Sequence, residues 1–254
     1  MPEPKLNKKI IFFVFSTLLI YIFISIFSGP ARGQEQAATI VALGDSVTLG
    51  TGATSGNGYV SVLERRIGQP IINRGVSGDT TASALVRLDS SVLSLNPDVV
   101  IVFLGGNDIL RGVSNGVMFE NLRQIIERIQ DSGAEVVLVG VHGSVFLSDL
   151  EDDYRNLALS TGAHYVPGAF VGILGNPALM SDLVHPNSAG HELIAERILP
   201  VLQDALRDVP DQGLTVVCDV DKETVFVGES VRWSLNVTGG GGIIDTFGWG
   251  RTGL

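Results

Sequence analysis

Cysteine is nearly absent. One thiol, Cys218, in 254 residues leaves no partner for an intramolecular disulfide and rules out a cysteine-rich metal site. Aromatic residues are scarce at 7% and charged ones at 17%, yet 45% of the chain is hydrophobic. That aliphatic content argues against disorder and suits one medium-sized α/β domain with something small beside it. Positive charge is lacking over most of the length. The chain carries −10 overall; residues 1–33 are net +3, through Lys5, Lys8, Lys9 and Arg32 against Glu3, so residues 34–254 carry −13. An acidic body repels phosphate backbones, which argues against nucleic acid as a partner. The sequence shows no internal repeat.

Only one hydrophobic run is long. "IIFFVFSTLLIYIFISIF", residues 10–27, is 18 uncharged residues behind three lysines. As a helix it reaches about 27 Å, close to the hydrocarbon thickness of a bilayer. The lysines are expected to stay cytoplasmic, sending the chain beyond residue 28 across the membrane. "ARG", residues 31–33, places small residues where a cleavage site needs them, while the length of the run equally suits an uncleaved anchor contacting the membrane. Either way residues 1–33 read as a signal peptide or membrane anchor. The body is expected to be extracytoplasmic: periplasmic, secreted, or anchored facing outward. No cysteine closely follows the run, which excludes lipid attachment there.

From residue 38 short aliphatic strands alternate with amphipathic helices. Strands are expected at 38–43, 70–73, 98–104, 135–141 and 163–166, and helices at 59–67, 80–95, 117–130, 150–161 and 187–206. Continuous apolar strands between helices predict a parallel sheet covered on both faces, a three-layer α/β/α sandwich over residues 34–208. After "DVPDQG" (208–213) the helical period disappears. Residues 209–254 read as a partial, sandwich-like all-β module or a β appendage, because some forty residues are too few for a complete sandwich.

Four polar segments fall at one edge of this sheet. "GDS" (44–46) follows the first strand, "GVSGDT" (75–80) the second and "GGND" (105–108) the third; "DLVHP" (182–186) precedes the last helix. Ligands of open parallel sheets bind beyond the carboxyl ends of the strands. Acyl transfer needs what these segments supply. Ser46 is a nucleophile once a base takes its proton. His185 is that base, and Asp182, three residues earlier, orients the imidazole. The oxyanion is offered the Ser46 and Gly78 backbone N–H groups and the Asn107 side-chain amide. Asp45 reads as structural, with its carboxylate on nearby backbone N–H groups, and Asp108 as a turn or capping residue. His142, which also follows a strand, is the rival base; His164 begins a strand and His191 lies in the last helix. Asp182 and His185 lack the further ligands of a metal site. The G-x-S-x-G elbow of the α/β hydrolases is absent around Ser46.

The four blocks, in this order over residues 38–206, resemble the SGNH or GDSL hydrolases, closest to the bacterial thioesterase, lysophospholipase and arylesterase branch. "GDSVTLG" departs from the family's nominal motif only in having valine for leucine. The resemblance implies a flavodoxin-like sheet, no metal or other cofactor, and hydrolysis of acyl esters, aryl esters, thioesters or lysophospholipids. Residues 141–153 do not match the substrate loop of that branch, and the C-terminal β segment lies outside the family pattern. Two other functions are open: a carbohydrate O-deacetylase of the same fold, and a surface-binding protein whose hydrolase domain is inactive.

Overall fold

The computed structural model describes residues 37–142, 150–209, 215–220 and 233–238. One compact body spans Ala37–Asp211. Its sheet has five strands: β1 (Ile40–Gly44), β2 (Ile71–Gly75), β3 (Val99–Phe103), β4 (Glu135–Val139) and β5 (His164–Val166). They run parallel in the order β2-β1-β3-β4-β5, the flavodoxin-like arrangement, whose strand order reverses direction at β1 and β3. Every residue of β1 and β3 is buried, which is why these strands read as unbroken aliphatic runs.

The helices are α1 (Ser46–Leu49), α2 (Tyr59–Ile67), α3 (Thr81–Ser91), α4 (Gly106–Leu110), α5 (Asn115–Asp131), α6 (Leu150–Thr161) and α7 (Ser188–Asp208). They pack in two groups, α2 with α7, and α3 with α5 with α6, so both faces of the sheet are covered. Leu122, Ile125, Ile126 and Ile129 of α5 and Ile194, Ile198 and Leu202 of α7 are fully buried. Each such side chain contributes about 1.5–3 kcal/mol by leaving water. Local signals start the helices: Thr80 and Ser83 form a reciprocal capping box on α3, and Asn187 accepts from the Ala189 and Gly190 N–H groups at the start of α7.

The expected elements are present with shifted ends, and two were not expected. The four-residue α1 and five-residue α4 are too short to show a helical period. Both sit where the sheet meets the polar blocks. Separately from the main body, β6 (Thr215–Val220) and β7 (Trp233–Thr238) pair antiparallel from Thr215 opposite Thr238 to Val220 opposite Trp233. The rest of the β segment and the whole apolar N-terminal run lie outside the described residues. No described helix is long and apolar enough to cross a membrane.

Candidate active site

β1 ends at Gly44, and the chain turns at once into α1, whose cap is Asp45 and whose first residue is Ser46. Ser46 is buried. The loop before α7 lies against the segment between α1 and α2. It is pinned by a bridge between Met180 and Pro186 and by the Ser181 N–H donating to the His185 carbonyl at 2.8 Å. Gly52 lets it come close. Its φ is +93°, and a Cβ there would lie 2.3 Å from the Pro186 carbonyl oxygen and 3.1 Å from the His185 Cβ.

The result is a series of three side chains. His185 Nε2 lies 3.0 Å from Ser46 Oγ, and His185 Nδ1 lies 2.7 Å from Asp182 Oδ2. A carboxylate accepts only, so Nδ1 carries the proton and Nε2 is left to accept from the serine hydroxyl. The other oxygen, Asp182 Oδ1, accepts from the Val184 and His185 N–H groups at 2.9 and 2.8 Å. The His185 imidazole first, and these two N–H groups after it, hold the Asp182 carboxyl down to about 2.

The other two candidate oxyanion donors, Gly78 and Asn107, follow two other strands. After β2, Val76–Asp79 forms a turn closed by the Asp79 N–H on the Val76 carbonyl at 3.1 Å. Gly78 is its third residue with φ +79°, the left-handed conformation that favours glycine there. The Arg111 guanidinium donates to the Gly78 carbonyl at 2.8 Å, tying the turn to the end of α4. After β3, Asn107 donates from Nδ2 to Asp45 Oδ2 at 3.0 Å, while Asp45 Oδ1 accepts from the Val47 N–H at 2.9 Å. Asp108 is fully buried and accepts from both the N–H and the hydroxyl of Thr81, at 2.9 and 2.6 Å. It is therefore a staple joining the β2 and β3 turns, not the local cap that the sequence implied.

Asp45 does more than satisfy neighbouring backbone. Burial pushes its carboxyl up to about 6, against the opposing pull of the Val47 N–H, His185 and the Asn107 amide. The other histidines are engaged elsewhere. His142 pairs with Glu151, which also accepts from the Tyr165 hydroxyl at 3.2 Å. His164 lies 3.5 Å from both Glu135 and Asp208. His191 is buried, accepts from the Tyr59 N–H at 3.2 Å and lies 3.1 Å from the Thr51 carbonyl; burial lowers its pKa and keeps it neutral. It clips α7 to the segment following Ser46. Among the described residues no group of three His, Cys, Asp or Glu side chains is placed to hold a metal ion.

The fold and the four blocks at its edge define a hydrolase of acyl bonds. The chain belongs to the GDSL-like lipase/acylhydrolase family, whose pattern matches residues 42–193. It is 29% identical to Esterase TesA of Pseudomonas aeruginosa over 68% of this chain and 92% of that protein. It is 30% identical to an arylesterase of Vibrio mimicus over 65% of this chain and 88% of that protein. The solved structure of the psychrotrophic esterase EstA from Pseudoalteromonas, inhibited by monoethylphosphonate, superposes with a TM-score of 0.61. It is 27% identical and covers 68% of this chain and 100% of its own.

Proposed function

We propose that this hydrolase is an exported serine esterase in which Ser46, His185 and Asp182 form the catalytic triad, cleaving acyl esters, aryl esters, thioesters or lysophospholipids through an acyl-enzyme. The observation that carries this reading is the unbroken series Ser46 Oγ to His185 Nε2 at 3.0 Å and His185 Nδ1 to Asp182 Oδ2 at 2.7 Å. Ser46 Oγ attacks the carbonyl carbon while Nε2 takes the hydroxyl proton. The negative oxygen of the tetrahedral intermediate is met by the N–H groups of Ser46 and Gly78 and the amide of Asn107. Collapse expels the alkoxide or thiolate, which takes the proton from Nε2. Water then attacks the acyl-enzyme with the same base and releases the carboxylic acid. Asp182 stays ionised throughout and stabilises the imidazolium.

An apolar substrate is supported by five of the exposed aliphatic side chains. Leu49, Val76, Leu110, Leu183 and Val184 are exposed, and each lies within three residues of a member of the proposed site. Export rests on residues 10–27, which lie outside the described residues and, if uncleaved, tether the enzyme to a membrane; the C-terminal β segment is an appendage to the hydrolase domain. Fluorophosphonate labelling with peptide mapping tests the reading. The label is expected on Ser46, and Ser46→Ala is expected to lose both label and hydrolysis, about 10⁴–10⁶-fold in kcat, with an unchanged melting temperature. Hydrolysis that survives Ser46→Ala refutes it. A panel of p-nitrophenyl esters from acetyl to palmitoyl beside acetylated sugars defines the substrate; a sharp acetyl optimum reassigns the enzyme as a carbohydrate deacetylase.

A further inference from the structure

Asp45 holds a charge where charge is costly. It is 8% exposed, and no cation pairs with it among the described residues. Its two bonds, from the Val47 N–H and from Asn107 Nδ2, are the compensation it receives. A carboxylate can only accept, so it dictates which end of the neighbouring amide faces it. If the Asn107 amide turned over, its carbonyl oxygen would meet the carboxylate oxygen in a buried place, two negative poles with no donor between them. The amide nitrogen is therefore kept against Asp45, and the second N–H of that nitrogen remains to be offered to substrate. A neutral side chain at position 45 imposes no such choice.

We propose that Asp45 is a positioning residue of the hydrolytic site, whose negative charge fixes the orientation of the Asn107 amide so that its N–H, not its carbonyl, is presented to the oxyanion. This rests on the reading of Asn107 as an oxyanion donor. The titratable groups around Asp45 are His185 from the loop before α7, Asp79 from the turn after β2, and the hydroxyls of Tyr59 on α2 and Tyr154 on α6. Asp79 is itself paired with Arg87 at 2.7 Å. Burial outweighs the rest and leaves the Asp45 carboxyl titrating at about 6. On acidification Asp45 takes up a proton, one acceptor becomes a donor, and the restraint on Asn107 weakens. The His185 imidazole must also be free of its added proton to act as base. Protonation of Asp45 therefore adds its own loss of activity on the acid side, at about 6.

The cost leaves a mark on stability. A carboxyl whose folded pKa is raised from 3.8 to about 6 contributes stability below 3.8 that is lost as pH rises through 6. Asp45→Asn removes that loss, so the melting temperature of the variant relative to the wild type is expected to rise between pH 5 and pH 8. A short-chain p-nitrophenyl ester is the activity probe. Asp45→Asn is expected to lower kcat about 100-fold, the effect of one misdirected oxyanion donor, with KM changed far less. The acid limb of its kcat/KM profile is expected to lose the inflection at about 6 that Asp45 gives the wild type. Because Asp45 acts through Asn107, the double variant Asp45→Asn/Asn107→Ala is expected to be no slower than Asn107→Ala alone. Additive losses in that cycle, an unchanged acid limb, or a melting-temperature difference independent of pH would each overturn the proposal. Ser46→Ala, run beside them, reports separately on the serine mechanism.

Discussion

Asp182 and Asp45 flank the same serine and keep their charges by opposite means. Asp182 is 54% exposed in its side chain, yet its carboxyl is held down to about 2 because its own loop folds the His185 ring and two N–H groups onto it. Asp45 is buried, takes two bonds and is pushed up to about 6. Burial sets the base strength of Asp45, whereas hydrogen-bond donors set that of Asp182. The proposed base half of the site is thus a loop closed on itself. The proposed oxyanion half follows three strands and is tied by contacts distant in the chain: Asp45 with Asn107, Thr81 with Asp108, and Arg111 with the Gly78 carbonyl.

Breaking the base half gives the largest effect. Asp182→Asn leaves the imidazole free to adopt the wrong tautomer and is expected to lower kcat about 10²–10⁴-fold, measured on a short-chain ester. Its stability should respond to pH in the sense opposite to Asp45→Asn. The lowered pKa of Asp182 contributes stability above 3.8 that is lost as pH falls through about 2. Melting curves of wild type and Asp182→Asn are therefore expected to converge at pH 2 and separate by pH 5. Gly52→Ala strains the same half, since its φ of +93° and the Pro186 carbonyl leave no room for a methyl group. It is expected to destabilise by about 1–3 kcal/mol and to lower kcat about tenfold as His185 is pushed away. Arg111→Ala touches only the other half. Losing one exposed bond to the Gly78 carbonyl is expected to cost about 0.5–1 kcal/mol in the transition state, a few-fold in kcat, with the melting temperature unmoved.

The sheet was legible because its central strands are buried on both faces and so read as unbroken runs of Val, Ile and Leu. The four blocks were legible because each follows a strand end or precedes a capped helix, and His185 stood out from His142 by having Asp182 three residues before it. What the sequence hid was the wiring behind the donors. Asp108 looks like a turn former, and nothing local says that its partner is Thr81, 27 residues away. The role proposed for Asp45 depends on Asn107, 62 residues away, in the short helix after a neighbouring strand. The exposure of Leu110 and Leu183 was equally invisible, because an aliphatic residue in a loop reads as core until its surroundings are known.

The Ser46 hydroxyl and its imidazole are separated by 139 positions, and the His191 clip by 132 from Tyr59. Closing so long an interval is entropically costly until the intervening layers have docked. Hydrolytic competence is accordingly a clock for the last stage of self-assembly. On the proposed triad, a nascent polypeptide that has not yet delivered its 185th residue is expected to be inert toward esters, and recovery of turnover after denaturation should trail the return of helical dichroism.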